Sequence, residues 1–442
     1  MKRQLTRRRA IAQTSVAASG ALLAACGQQA NQTAAPPSSS PVPVLHWFNY
    51  AAPHRFGLAQ QVVLDDYQAR NPGRVQLEIG ESGSTVALAK IKTAVAAGAP
   101  PTSWFSWQVE ASDLLAIGAL ADLNTVLKTH KEWGKLKGDI IPTLIDGASW
   151  RSKLTLMPLF PDPHGLGFNK RLLQATGTAI PAATYTWNDF LDIGRKAAQP
   201  PDKVLFDFQY TWSYFYRWMF ANGQRPLNVE KTRLTIDTPG MLEMLQWGHD
   251  QVTKGVARNG VTNFDAGASL TEIINTGTVT PPRYPNVDPG DGSGIHLMNY
   301  PHGPSNVKKE PGTPGNVFGF MVMKGSDPKR EAAAADIAAW SVRPDVQLKV
   351  TEVTGHAPAN LAAAKDASLP RLLKDNPLLK TLNDLAKYNI PTPNFPSWNN
   401  AQAIINDTLA ALGKNSLTPK AALSEMQTKI QPLIDDDLKK NL

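Results

Sequence analysis

Residues 44–79 read VLHWFNYAAPHRFGLAQQVVLDDYQARNPGRVQLEI, and their pattern changes period twice. The opening, 44–50, is apolar and aromatic and predicts a strand. From Leu58, the residues Leu58, Val62, Val63 and Tyr67 fall on one side of a helix. Asn71, Pro72 and Gly73 stop that helix. Val75, Leu77 and Ile79 then alternate as a half-buried strand does. The pattern repeats downstream. TVALAKIKTAVAAGAPP (85–101) places Leu88, Ile91 and Val95 in a helical stripe, SWFSW (103–107) reads as a short strand, and ASDLLAIGALADL (111–123) reads as a helix broken at Gly118. Strand and helix in alternation predict a parallel α/β sheet. In open sheets of this kind ligands collect beyond the carboxyl ends of the strands.

Farther along, LTLMPLF (154–160) predicts a strand and 161–177 leads into a second unit. TYTWNDFLDIGRKAA (184–198) predicts a helix capped by Thr186, and MLEMLQWGHDQVTKG (241–255) an amphipathic one with Met241, Leu245 and Trp247 along a side. A turn-rich stretch covers 279–314, NVFGFMVM (316–323) returns to strand, and from Pro328 onward the chain reads as helical apart from NIPTPNFPSW (389–398). No internal repeat is visible.

The 442 residues allow two or three domains at roughly 100–200 residues each. With 42% hydrophobic and 19% charged residues the composition is that of a globular protein, and it holds no apolar run of about 18 residues that would span a bilayer. The formal charge is +8, but Lys2, Arg3, Arg7, Arg8 and Arg9 supply five of those charges and 1–25 holds no acid. The rest of the chain has no basic stripe, which argues against nucleic acid as a partner. Basic 1–9, then small and weakly apolar 11–25, then LAAC (23–26), is the layout of a secretory signal. LAAC resembles a bacterial lipobox, which implies that Cys26 becomes the first residue after cleavage and carries acyl chains. TRRRAI (6–11) resembles a twin-arginine signal, with Ala10 where that motif usually has Phe. Cys26 is the only cysteine, so no disulfide is available, and GQQANQTAAPPSSSPVP (27–43) lacks the residues of a core and predicts an extended tether.

DDYQARNPGRVQLEI, AGAPPTSWFSW, IGALADLN, LMPLFPDPHGLGFNKRLLQATGTAIPAATYTWNDFLDIGRKA, MNYPHGP, FGFMVMKGSDPKREAAAADIAAWSV, TGHAPAN and NFPSW occur in this order over about 390 residues. Together they resemble the extracellular solute-binding proteins of ABC importers, family 1, the maltose-binding-protein-like sugar binders. Two departures are visible: TSWFSW has aromatics where relatives often have Asp and an aliphatic, and FDAGASL only loosely matches a segment of the family. The resemblance implies an α/β fold of the type II periplasmic-binding-protein kind, two lobes joined by a hinge with a ligand cleft between them. The expected division is a signal peptide at 1–25, a lipidated cysteine and tether at 26–43, lobe 1 at 44–160 plus 295–343, and lobe 2 at 161–294 plus 344–442. Crossings are expected near 160–164, 292–295 and 342–344. The implied function is capture of a carbohydrate, an oligosaccharide in particular, by hinge closure and its delivery to ABC permease subunits. The implied form is a monomer without cofactor or metal, lipid-anchored on the outer face of the bacterial cytoplasmic membrane.

A sugar offers C–H faces that stack on aromatic rings and hydroxyls that need donors and acceptors. The aromatic candidates are Trp47 and Phe48 after the first strand, Trp104 and Trp107, Trp212 with Tyr214 and Tyr216, Tyr300, and Trp398. Strand alternation sets at least one of Trp104 and Trp107 facing away from the other. Trp398, in a Pro-bounded stretch, is expected to be exposed at the site, whereas Trp187, Trp218, Trp247 and Trp340 are expected in the core. Polar candidates are Glu81, Glu110, His302 and His356, with His46, Asn49, Gln108 and Asp162 beside them. A polyamine or glycerophosphodiester is the alternative cargo, calling for several carboxylates or for arginines. A secreted glycosidase would need two carboxylates about 5–5.5 or 6.5–9.5 Å apart. Gly-x-Ser-x-Gly, His-Glu-x-x-His and a P-loop do not occur in the sequence.

Overall fold

The computed structural model describes residues 40–82, 84–200, 203–279, 284–288, 293–309, 312–373 and 376–440, with the side chains of 81–86 left out. The leader, Cys26 and the tether up to 39 lie outside the described residues. In chain order the strands are β1 (Val42–Phe48), β2 (Val75–Ser82), β3 (Ser103–Trp107), β4 (Ser149–Trp150), β5 (Lys153–Leu154), β6 (Met157–Pro163), β7 (Gly165–Asn169), β8 (Phe206–Asp207), β9 (Ala257–Arg258), β10 (Thr271–Ile274), β11 (Ile295–Met298), β12 (Thr313–Val322) and β13 (Asn389–Pro391).

The quoted stretch folds as the pattern predicts. The helix Arg55–Arg70 buries Ala59, Val63, Leu64 and Tyr67. Asn71 closes it by donating its side-chain amide to the Tyr67 carbonyl at 3.0 Å, and Gly73 takes φ +72°, which a side chain would resist. β2, β1 and β3 run parallel, with His46 opposite Ile79 and Trp47 opposite Trp104. The large sheet continues antiparallel through β12, in the order β13-β12-β3-β1-β2, with β6 also pairing with β12. The expected parallel sheet is therefore a mixed one: β2, β1 and β3 are parallel, β12 is antiparallel to β3 and β6, and β13 is parallel to β12. Ile79, expected to be buried by alternation, is 51% exposed at the β2 edge.

A second sheet has the order β10-β7-β11, all antiparallel pairs. The chain passes from the first sheet to the second between β6 and β7, at His164, inside the expected 160–164 crossing. It returns between β11 and β12, after Met298, rather than near 292–295. Sheet membership thus sets Ile295–Met298 with the second sheet and Asn389–Pro391 with the first, across the expected lobe boundaries. Backbone pairing explains this: β11 completes the hydrogen bonding of β7, and β13 that of β12. Trp187 and Trp218 are buried and Trp247 stacks on Trp187 with ring centroids 4.5 Å apart, so these indoles fill the second unit as expected. Trp340 is half-buried, its indole nitrogen donating to Asp66 at 2.9 Å. Thr186 caps the helix Trp187–Ala197 in a reciprocal capping box with Asp189.

Candidate functional site

β1 and β3 end side by side, and the residues at and just past their carboxyl ends, Tyr50 and Trp107, face a cleft of about 240 Å³. β6 adds Asp162, the crossing adds His164, and β12 adds Asn316 and Phe318. The opposite wall comes from the second unit and the C-terminal helices: Trp212, Tyr216 and Arg217 on the helix Trp212–Ala221, Asn275 just past β10, and Gln402. The strand-end rule therefore locates the site: strands of the first sheet line it directly, and the second sheet reaches it only through Asn275, the residue after β10.

Its floor is aromatic. Trp107 lies nearly parallel to Phe318, with centroids 6.3 Å apart and planes at 16°, and Trp212 stacks on Tyr216 at 5.3 Å and 26°. Its polar groups are tied to one another. Asn275 Nδ2 donates to Asp162 Oδ2 at 2.9 Å, and Arg217 donates to His164 Nδ1 from Nε at 3.2 Å and Nη2 at 3.0 Å. Burial, and next the Arg217 charge, hold His164 below its ordinary pKa. Behind the cleft Glu110 accepts from Asn49 Nδ2 at 3.0 Å and from Ser106 Oγ. Burial pushes the Glu110 carboxyl up to about 7 against the pull of the Ser106 hydrogen bond.

Of the sequence candidates, the structure brings Trp107 and Trp212 to the cleft, with Asp162 and Tyr216, and sets Glu110 and Asn49 directly behind it. The others lie elsewhere. Trp104 points away from the cleft and is fully buried, as alternation with Trp107 requires. Phe48 is in the core, stacked on His46, whose ring is held by Ser103 and Gln60 at 2.7 and 2.6 Å. Trp47 is half-buried on the β2 side, close enough to Gly80 that a Cβ there would collide with its indole. Tyr214 and Tyr300 line a separate void of about 10 Å³ beside Trp218. His302 faces a groove with His296 and Tyr388, and its Nδ1 accepts from Asn306 Nδ2 at 3.0 Å. Glu81 is the penultimate residue of β2, and its side chain lies outside the described residues.

Two expectations are corrected outright. Trp398 is 1% exposed, because it is the first residue of the helix Trp398–Gly413 and not part of a loop; it meets Trp212 edge-on at 4.8 Å and 74°. His356 is fully buried, stacked on Phe160 at 3.8 Å. The Thr354 hydroxyl donates to the Val350 carbonyl at 2.6 Å, so its oxygen accepts the His356 Nδ1 proton at 2.9 Å, leaving a neutral ring with Nε2 unpartnered. The sequence reading missed Tyr50, His164, Arg217, Asn275, Asn316, Phe318 and Gln402. Arg217 had a signal, as the one charge in YFYRWMF, and Tyr50 another, directly after a strand.

These buried histidines set a pH dependence of stability. Burial lowers His46 to about 4 and His356 well below its ordinary value. The unfolded chain then binds protons that the folded chain refuses, so stability is full above about 6.5 and falls with pH towards about 4, by up to about 1.4 kcal/mol per pH unit per histidine. Glu110 acts in the opposite sense, costing stability as pH rises from about 4.5 through about 7. Denaturant midpoints between pH 7.5 and 5 should fall with acid, because two histidines outweigh one carboxyl; a flat profile would mean that at most one of the two imidazoles is buried neutral.

Two sheets joined by crossing strands, with an aromatic and polar cleft at the strand ends between them, are the architecture of a protein that encloses a solute. The chain belongs to the bacterial extracellular solute-binding proteins, whose family model matches residues 63–381. Among solved structures it is similar to the cyclic alpha-maltosyl-1,6-maltose binding protein from Arthrobacter globiformis, at 18% identity and TM-score 0.76, covering 90% of this chain and 100% of that one. It is similar to the GacH receptor of Streptomyces glaucescens, solved unliganded and with acarbose, at 16% identity and TM-score 0.72 with the same coverage. It is also similar to the substrate-binding protein Lmo0181 from Listeria monocytogenes, solved with cycloalternan, at 18% identity, TM-score 0.72 and again the same coverage. At these identities the likeness is one of fold. No curated protein matches the chain. Among the described residues no helix is long and apolar enough to cross a membrane.

Proposed function

We propose that the cleft captures a neutral carbohydrate and that the protein presents it to the permease of an ABC importer. The observation that carries this is the lining itself: aromatic faces of Trp107, Phe318, Trp212 and Tyr216, studded with Asp162, Arg217, Asn275, Asn316 and Gln402. Stacking plates with a few hydrogen-bonding groups match the two surfaces of a sugar. Asp162 is the single carboxylate among the described lining residues, and Arg217 offsets its charge. A polyamine would call for more carboxylates and a glycosidase for a second one. The structural relatives solved with acarbose and cycloalternan support the same reading, and within it an oligosaccharide, as does membership of a solute-binding family against catalysis.

In this reading the first and second sheets are the cores of two lobes that rotate about the crossings, the hinge closure known for periplasmic binding proteins. The signal-like 1–25 directs export, and Cys26 carries the lipid that holds a monomer beside its permease on the outer face of the bacterial cytoplasmic membrane. Two or more acyl chains give a stable anchor. Cys26→Ser should release the protein from the membrane fraction; retention there would remove the anchor.

The cargo is tested by a thermal-shift screen of the chain from Gly27 onward against mono-, di- and oligosaccharides, polyamines and glycerophosphodiesters. A ligand at about 100 times its dissociation constant stabilises by about 2.7 kcal/mol, a readable shift. A response to a sugar class alone is expected. A response to polyamines or phosphodiesters in its place would overturn the carbohydrate reading and leave the fold as it is.

A further inference from the structure

His164 sits on the crossing between β6 and β7, between the two charged groups of the cleft wall. Asp162 comes from β6 on one side and Arg217 from the helix Trp212–Ala221 on the other, and both are at least nine-tenths buried. A guanidinium donates and never accepts. The Arg217 Nε and Nη2 contacts at 3.2 and 3.0 Å therefore require a lone pair on His164 Nδ1. Tyr216 Oη, 3.1 Å from the same nitrogen, agrees with that polarity as a donor. The ring proton is thus on Nε2, which lies 3.4 Å from Asp162 Oδ2 and equally 3.4 Å from Asn275 Nδ2; that amide only donates and its shorter bond goes to Asp162, so Asp162 Oδ2 is the acceptor for Nε2–H. That oxygen also takes the Asn275 amide, while Asp162 Oδ1 is buried with no partner.

We infer that His164 is a positioning residue of the ligand site: its neutral imidazole, protonated on Nε2, spaces Arg217 and Asp162 so that one offers a donor and the other an acceptor to neighbouring hydroxyls of the ligand. The ligand half of this inference rests on the carbohydrate reading; the tautomer does not. Without the ring, a guanidinium and a carboxylate in one low-dielectric wall would pair directly and satisfy each other in place of a ligand. With it, each charge is compensated through a polarised ring, and only two of the five Arg217 N–H groups are committed to it. Adding a proton to Nδ1 would aim an N–H at the guanidinium and break the arrangement. Burial and Arg217 together oppose that proton. The groups that face the ring are Asp162, Arg217, Tyr216 and Asn275; Tyr50 lines the same cleft, with His54 stacked on it at 4.6 Å and Glu110 within electrostatic reach of its hydroxyl.

The first test needs no ligand. Two-bond proton–nitrogen spectra of the imidazoles, assigned by comparison with His164→Gln, should show His164 neutral, with Nδ1 bare and Nε2 protonated, and still neutral below pH 6.5. An Nδ1-protonated or charged ring at pH 7 would overturn the inference. The second test reads affinity for whichever sugar the screen identifies. His164→Leu should weaken binding about tenfold or more, the loss of hydrogen bonds to charged groups. His164→Gln, which can accept from Arg217 and donate to Asp162, should recover to within about threefold of wild type on the same scale. The wild-type affinity should be level above about pH 6.5 and fall in acid as the imidazole charges. That fall should vanish in His164→Gln and persist in Glu110→Gln, which separates the ring from the nearby carboxyl. Unchanged affinity in His164→Leu, or an acid fall that survives in His164→Gln, would sink the positioning role. A wild type that binds no sugar would sink the carbohydrate reading and the ligand half of the inference with it, while the spectra still decide the tautomer.

Discussion

Trp398→Ala should destabilise the protein by about 3–5 kcal/mol, the cost of truncating a fully buried Trp. The indole is 1% exposed and stands edge-on to both Trp212 and Phe395, at 4.8 and 5.5 Å between centroids. It begins the helix Trp398–Gly413, which packs on the helices Gln108–Ala116, Trp212–Ala221 and Pro419–Lys439, so the hole would open where several elements meet. Edge-to-face contacts add about 0.5–1.5 kcal/mol each beyond burial. The check is the denaturant midpoint at unchanged slope, which separates lost stability from altered compactness. A cost below about 1 kcal/mol would mean that the indole is not a core plate, since truncations of that size in a core cost more. In the folded fraction, ligand affinity should fall as well, because Trp212 lines the cleft and loses its backing.

Gly319→Ala should be at least as damaging. Gly319 lies in β12 opposite Pro158 of β6, just after a register shift at Phe318. A Cβ there would land on the Met157 carbonyl oxygen. That neighbour is backbone and cannot swing aside, so β6 and β12 must separate. The expected cost is at or above about 3 kcal/mol, the upper end for ordinary overpacking. The same strands carry Asp162, Asn316 and Phe318 into the cleft, so binding should be lost with stability. A variant with wild-type melting and wild-type affinity would show that the two strands do not pair in this register.

Periodicity made the local elements readable. The stripe of the first helix, the stop at Asn71–Gly73 and the Thr186 cap each depend on residues within a few positions of one another, and each is found where the pattern puts it. The carboxyl-end rule reaches Trp107 for the same reason, and applied to β1 it would have reached Tyr50, which the sequence reading missed: a strand that ends toward a cleft carries its next residues there. The helix Trp212–Ala221 shows where such reasoning stops. Its aromatics look alike in sequence, yet Tyr216 and Trp212 line the cleft while Tyr214 and Trp218 line a void elsewhere. Two positions, about half a helix turn, divide them, and which face meets the cleft is settled by its packing against β12 and the helix Trp398–Gly413.

His356 and Trp398 are the same lesson in the core. The sequence reading expects His356 at the site, and Trp398 exposed there in its Pro-bounded stretch, yet each is buried because a distant partner covers it: Phe160 for the imidazole, Trp212 for the indole. Asp162, His164, Arg217 and Asn275 are brought within hydrogen-bonding distance from positions as far as 113 residues apart. The sequence by itself determined the alternation of strand and helix and the family, because these rest on short-range spacing and order. The tertiary structure alone decided which aromatics face solute and which face core, because that choice is made by contacts between segments that share no local pattern.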